Sequence, residues 1–261
     1  MANQRTPKPV VELTVSSRET LSSELVRLWL AHERFEPSEH TDSYVKLLFD
    51  DHGPLAAPPA DDGPRAMTRT YTVRAHDAVA NELALDFVVH GDEGLAAPWA
   101  VHCQPGDRVL AYGPGGAWSP AEDADFHLFV GDASALPAIA AGLERLQYID
   151  SRARGLALIE VHHEGVNDLV PPAGVEVRWV VRGDEPYREE RLADEVAALD
   201  WTTLGDVSVF AHGERGAMKA LRRLFTQLQV PRERLSLSGY WALGRVEDEF
   251  QAEKRTEVGK V

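Results

Sequence analysis

The sequence has a single cysteine, Cys103, in 261 residues. Disulfides within the chain, zinc ribbons and cysteine-ligated iron–sulfur clusters are therefore excluded, and Cys103 itself reads as a small core residue. No apolar run approaches the ~20 residues that span a bilayer. Residues 1–10 lack the apolar stretch of a signal peptide, so a cytoplasmic chain without membrane insertion is expected. Basic residues are scarce: 27 Lys and Arg stand against 42 Asp and Glu, a formal charge of −15. Such a surface repels nucleic acid and anionic membrane, which excludes both as main partners. No Gly-x-Ser-x-Gly elbow surrounds Ser119, Ser134 or Ser236, and there is neither a Walker lysine nor a Gly-x-Gly-x-x-Gly fingerprint. Serine hydrolysis and P-loop chemistry lose their motifs, and His162-His163 has no further ligand at metal spacing.

What is present is a hydrophobic fraction of 44%, enough to bury a real core in one large domain or two ordinary ones. The most unusual stretch is Arg69-Thr70-Tyr71-Thr72-Val73-Arg74. On a strand, Tyr71 and Val73 point one way while Thr70, Thr72 and Arg74 point the other. An aromatic ring, strand-edge hydrogen-bonding groups and two guanidiniums are what a flavin nucleotide needs: stacking, ring-edge partners and charge for a diphosphate. An ordinary half-buried strand with arginines at its ends is the alternative on this segment alone.

The pattern along the chain predicts short strands at 10–15, 25–30, 42–50, 69–74, 82–90 and 107–112, with a Pro/Gly/Asp-rich loop at 51–67. Six such strands with little helix predict an antiparallel barrel, closed by Gly113-Pro114-Gly115-Gly116. Residues 117–125 read as a linker. Beyond it, strands at 126–130, 156–161, 175–181, 207–211 and 235–240 alternate with helices. One begins after Ser134 as N-cap, with Ile139, Leu143 and Leu146 on its buried face. Others are expected over 188–199 and about 214–228, with 246–261 a peripheral helix or frayed end. This alternation predicts a parallel α/β sheet. The division expected is a barrel over 1–120 and an α/β domain over 121–261. Ligands of such sheets lie beyond the strands' carboxyl ends, where Gly131 and Gly213 are expected. Against the acidic background, Lys46 mid-strand, Arg182 and Arg245 are candidate cations for an anionic ligand.

In this order the segments resemble the siderophore-interacting protein family, a branch of the ferredoxin-reductase-like flavoproteins, over roughly 10–250. Arg69 to Arg74 is similar to that family's Arg-x-Tyr-Thr-x-Arg flavin motif. Residues 86–91, including Val88 and His90-Gly91, with Gly94 to Trp99-Ala100, resemble its His-Gly segment and diphosphate loop. Gly131-Asp132-Ala133-Ser134-Ala135-Leu136-Pro137-Ala138 resembles its Gly-Asp-Glu-Thr-Ala-x-Pro-Ala turn, and Gly239-Tyr240-Trp241 with Gly244 its C-terminal signature. The resemblance implies FAD held by Arg69, Tyr71, Thr72, Val73, Val88, His90, Gly94, Pro98, Trp99, Ala100, Asp132, Ser134, Ala135 and Trp241. In it Tyr71 packs on the isoalloxazine and Thr72 touches its polar edge. It implies a siderophore met by Lys46, for which Arg182 and Arg245 remain the further candidate cations. Departures are Ala133 for Glu, Ser134 for Thr, Ala97-Pro98 for Ser-Arg, and Ala242 for a basic residue.

The reading that results is a β-barrel plus α/β, ferredoxin-reductase-like flavoprotein that reduces ferric siderophores. Its donor would be NAD(P)H or a ferredoxin, and no side chain is assigned acid–base catalysis. A general flavin or quinone reductase, or a flavin-containing binding protein without turnover, shares the same sequence features.

Overall fold

The computed structural model describes residues 10–60, 66–89, 94–163, 169–254 and 256–261. It comprises two compact units, Met1–Ala117 and Trp118–Val261.

The first unit is built from β1 (Val10–Ser22), β2 (Leu25–His32), β3 (Tyr44–Asp50), β4 (Gly53–Pro54), β5 (Met67–Asp77), β6 (Glu82–Val88) and β7 (Arg108–Gly115), with one helix, α1 (Ala96–His102). The antiparallel order is β4-β3-β5-β6-β2-β1-β7, and β7 returns to pair with β3. That closure makes a six-stranded barrel with β4 appended, and it satisfies backbone groups that an open edge would expose. Period-2 alternation drives it: Val26, Leu28 and Leu30 of β2 and Val45, Leu47 and Phe49 of β3 all point into one core with Leu13, Leu83, Leu85 and Phe87. Each such side chain contributes about 1.5–3 kcal/mol on burial. Cys103 is buried here, and burial pushes its thiol up to about 11.

One boundary differs from expectation. Strand β7 does not stop at Tyr112 but continues through Gly113 and Pro114, with Gly115 opposite Tyr44. The register slips between Tyr44 and Lys46, and a slipped, bulged segment is where a strand tolerates a proline that cannot donate to the ladder.

The second unit carries β8 (Phe126–Asp132), α2 (Leu136–Ile149), β9 (Arg154–Val161), β10 (Gly174–Val181), α3 (Arg191–Ala197), β11 (Val207–Glu214), α4 (Arg215–Gln227), β12 (Leu235–Trp241) and α5 (Glu247–Glu253). Its sheet is parallel throughout, in the order β10-β9-β8-β11-β12. The order reverses between β8 and β11, which places the crevice of an open α/β sheet at their carboxyl ends. Ile139, Leu143 and Leu146 of α2 are buried as the periodicity predicts. Gly131 and Gly213 lie inside the last turns of β8 and β11 rather than beyond them.

Residues 118–125 belong to this unit and do not form a free linker. The Trp118 ring lies 4.6 Å from Phe210. Asp123 is paired with Arg234 at 2.6 Å, and Asp125 accepts from the Asp206 amide at 2.9 Å. No described helix is long and apolar enough to cross a membrane.

Candidate functional site

In the barrel, β5 is laddered to β3 over Met67 to Thr72, whereas its ladder with β6 begins only at Val73. The barrel thus parts beside Arg69–Thr72, the stretch singled out in the sequence. Pairing sets the faces: Arg69 stands opposite Leu47 and Tyr71 opposite Val45, both core positions, while Thr70 faces Lys46 and Thr72 faces Tyr44. The Tyr71 ring rests on Phe87, with centroids 4.2 Å apart and planes tilted by 37°. Phe87 lies 6.1 Å from Trp99, and Trp99 lies 6.1 Å from Phe49. Tyr71 is half-buried, so part of its ring stays at the surface on an apolar floor. Thr72, Val73 and Arg74 are buried. Arg69 donates to the Thr68 carbonyl at 3.0 Å, which steadies its guanidinium.

Val88 ends β6, half-buried, opposite Leu25. His90, with Gly91 to Glu93, lies outside the described residues. Gly94 has φ +87°, with nothing near where a Cβ would sit; glycine is there for its backbone. It leads into α1, whose first turn has no side-chain cap. Pro98 has no N–H, so the donors of that turn are the Ala96 and Ala97 amides. Ala100 is fully enclosed in the barrel core. A half-open aromatic seat, a parted strand edge and a guanidinium fit a flavin ring and its charged tail.

In the α/β unit the carboxyl ends of the strands meet on one carboxylate. Asp132 accepts from the Ser134 amide (2.9 Å) and hydroxyl (2.5 Å), the Glu214 amide (2.8 Å) and the Trp241 indole (2.9 Å). Burial pushes the Asp132 carboxyl up, and these four donors oppose the shift. The sequence-predicted Asp132, Ser134 and Trp241 are thus brought together, but bonded to each other. Ser134 is not the N-cap of α2: that position is Ala135, with no side-chain cap, because the Ser134 hydroxyl is held by Asp132. A carboxylate outcompetes the backbone for it. Ala135 is wholly buried, packed so close to Gly131 that a Cβ there would fall 2.7 Å from Ala135 Cβ and from the His212 carbonyl.

Three crest residues escaped the sequence reading. Glu214 is buried, caps α4 through the Ala217 amide (3.0 Å), and accepts from the Tyr187 hydroxyl (2.9 Å) and the Leu243 amide (3.1 Å). Burial beside Glu214 pushes the Tyr187 phenol up. Glu160 is buried at the end of β9; burial pushes its carboxyl up, with Arg191 and Arg182 opposing. An acidic residue at or next to the end of an otherwise apolar strand is the signal that could have found both glutamates. Arg182 Nε lies 3.6 Å from Glu160 Oε1, so it belongs to this crest.

The other cations are also engaged. Lys46 Nζ lies 5.9 Å from the centroid of the Tyr44 ring. Arg245 Nε binds Glu253 Oε1 at 2.8 Å, and the other oxygen of Glu253 holds Arg215 at 2.5 Å. His162 and His163 bond to each other, Nδ1 to Nε2, at 2.8 Å.

Comparison with known proteins matches both units. Residues 14–118 match the profile described as siderophore-interacting FAD-binding domain, and residues 124–244 that of siderophore-interacting protein. An uncharacterised protein of Mycobacterium tuberculosis is 38% identical, with 95% of each chain covered. The ferric vibriobactin reductase of Vibrio cholerae is 30% identical over 90% of each chain. The NADPH-dependent ferric-chelate reductase of Escherichia coli is 31% identical over 88% of this chain and 92% of its own. Among solved structures, a siderophore utilization protein from T. fusca is 31% identical and superposes with a TM-score of 0.80, covering 92% of this chain and 95% of its own.

Proposed function

The chain belongs to the siderophore-interacting protein family, and we propose that within it this protein is a FAD-dependent ferric-siderophore reductase. The observation that carries this is the half-open Tyr71 ring seated on Phe87 where the barrel parts. When bound, FAD would supply the storage of electrons from a two-electron donor and their release singly to Fe(III). The chain's own part is placement. Tyr71 would offer a face to the flavin ring and Thr72 would meet its polar edge. Arg69 would balance the diphosphate together with the amides of the α1 turn. Val73, Trp99 and Ala100, in or against the barrel core, would back that surface. Val88, Gly94 and Pro98 would border the same ligand, a role the resemblance also implies for His90, and Asp132, Ser134, Ala135 and Trp241 form the crest of the α/β unit.

Lys46 would favour an anionic ferric chelate against a chain of net charge −15; Arg182 and Arg245, paired with Glu160 and Glu253, are the further candidate cations, on the α/β unit. Iron release follows from ligand chemistry: hard oxygen donors hold Fe(II) far more weakly than Fe(III). No proton-transferring side chain is required, because electron transfer to iron breaks no covalent bond. NADPH is the proposed donor, as the Escherichia coli relative is named for it. The protein acts in the cytoplasm.

The test is anaerobic mixing of the purified yellow protein with NADPH, NADH or a reduced ferredoxin, followed by a ferric siderophore and an Fe(II) chromogen. Bleaching at the flavin band, then recovery with Fe(II) formation, is expected with NADPH. Protein without flavin absorption, or flavin that no donor bleaches, overturns the reading.

A further inference from the structure

One end of the barrel core is closed by two imidazoles and a phenyl ring. His32 ends β2 opposite Leu13, and His76 on β5 stands opposite Leu83, so both rings share a face with core leucines. Their Nε2 atoms lie 3.2 Å apart, and the rings stack with centroids at 5.2 Å. Phe35, itself buried, meets His32 edge-on at 5.6 Å and His76 at 6.4 Å. His32 is buried and His76 half-buried.

A third bond fixes the protons of this pair. The Phe35 amide donates to His32 Nδ1 at 3.1 Å, and an amide nitrogen only donates. Nδ1 is therefore bare, the His32 proton sits on Nε2, and His76 Nε2 is its acceptor. Two ring nitrogens this close could serve a metal ion, but one already carries a proton, so the pair is a hydrogen bond and not a ligand set. A further proton has no free place. On His76 Nε2 it sets donor against donor, and on His32 Nδ1 it expels the Phe35 amide. Either way a charge enters an apolar end of the barrel. Burial and the His76 imidazole push the His32 pKa down, so the associated stability is present above about 6.5 and is lost as pH falls below it. The charged groups around the pair are few. On β5, Asp77 interacts with His76 through charge while one of its oxygens holds the Val79 and Ala80 amides. On β6, Glu82 stands opposite Asp77 and Ala31. On β1, Glu12 holds Arg108 at 3.4 Å, and Glu33, Arg34 and Glu36 after β2 are exposed.

The bond ties down more than itself. The His32 amide donates to the Asn81 carbonyl in the β5–β6 turn at 3.0 Å. Phe35 lies near the start of the 33–43 segment. At the far end of that segment the Ser43 carbonyl accepts from the Val73 amide at 2.7 Å, and the Ser43 hydroxyl accepts from the Ser38 amide at 3.1 Å. Val73 belongs to the flavin motif and begins the β5–β6 ladder. We propose that the His32–His76 bond is a proton-operated latch. Neutral, it keeps the 33–43 segment seated over the barrel end; protonated, it frees that segment and loosens the hold of β5 on flavin. Only the flavin consequence rests on the reductase reading.

The experiment follows hydrogen–deuterium exchange of residues 33–43 in the purified full chain at about pH 7.5 and about pH 5, on either side of imidazole titration, with each rate divided by its intrinsic value. The wild type should lose protection about tenfold at the lower pH, the effect of one hydrogen bond, and its bound flavin should dissociate several-fold faster. His76→Gln offers an amide oxygen near the place of Nε2 and does not titrate, so both steps should vanish. Ring-nitrogen NMR shifts of the wild-type histidines decide the tautomer without a variant: at the higher pH His32 should carry its proton on Nε2. The opposite tautomer, no exchange step in the wild type, or an equal step in His76→Gln overturns the latch. An exchange step with flavin dissociation unmoved overturns its link to β5. A protein that holds no flavin yet shows the step sustains the latch and sinks the reductase reading.

Discussion

Tyr71 and Phe87 lie 4.2 Å apart on neighbouring strands, just where the ladder between those strands gives out. Phe87 is wholly enclosed, whereas Tyr71 keeps part of its ring at the surface. The buried ring therefore fixes the tilt of the half-open one. A seat of this kind contributes roughly 1 kcal/mol to a stacked heterocycle. Tyr71→Ala is expected to weaken flavin binding about fivefold, and so to lower the flavin occupancy of the purified protein, while Tyr71→Phe retains most of it, both read from the ratio of flavin to protein absorbance. Full occupancy in the alanine variant would remove Tyr71 from the site.

Lys46 acts through charge in this account, so its contribution must weaken as salt screens it. The Debye length falls from about 10 Å at 0.1 M to about 3 Å at 1 M. Lys46→Ala should raise the KM for an anionic ferric siderophore several-fold at low ionic strength and little at 1 M. A loss that does not depend on salt would point to packing on Tyr44 instead.

Asp132 is the acceptor for four donors from the ends of β8, β11 and β12. Asp132→Ala leaves those donors without it, at a cost of about 2–4 kcal/mol. Asp132→Asn, which keeps one carbonyl oxygen, should cost less. Thermal unfolding of the two variants checks the order, and an alanine variant as stable as wild type would mean that water replaces the carboxylate.

His212 on β11 is buried, stacked 3.9 Å from Phe210, with Nε2 2.9 Å from Ser236 Oγ. Its Nδ1 finds no partner among the described residues. Burial, helped by the Lys254 charge, pushes its pKa down to about 3 from 6.5. The folded pKa lies below the unfolded one, so the associated stability is fully present above about 6.5 and is lost as pH falls toward 3. Between those limits the slope is ~1.4 kcal/mol per pH unit from this group. His212→Phe should flatten the profile of unfolding free energy between pH 6 and 4, and an unchanged slope would assign acid sensitivity elsewhere.

Much of the architecture was legible because each unit follows one period. Alternation in β2 and β3 marks a barrel wall, and apolar strands separated by an amphipathic α2 mark a parallel sheet. The extension of β7 through Pro114 was hidden, since a proline reads as a stop unless the partner strand's slip is known. Ser134 misled for a different reason. Its position before a helix satisfies the capping rule, but a charged neighbour two residues back, Asp132, holds the hydroxyl. The candidate flavin strand stands out in the sequence through Tyr71 and its arginines, whereas the open side of that strand depends on where β6 begins to pair, which no local pattern records. Glu160 and Glu214 were overlooked because a carboxylate ending a strand reads as solvent-facing until the surrounding chain encloses it.

The lone thiol of the chain sits in the barrel core and ionises only near pH 11, so at neutral pH it is almost wholly in the unreactive form. Wild-type protein should therefore be inert to maleimides without any engineering to remove a background thiol. A cysteine introduced on an exposed strand position such as Thr70 would be the single attachment point for a dye or spin label. Motions near Lys46, opposite Thr70 on β3, would then be observable in otherwise unaltered protein.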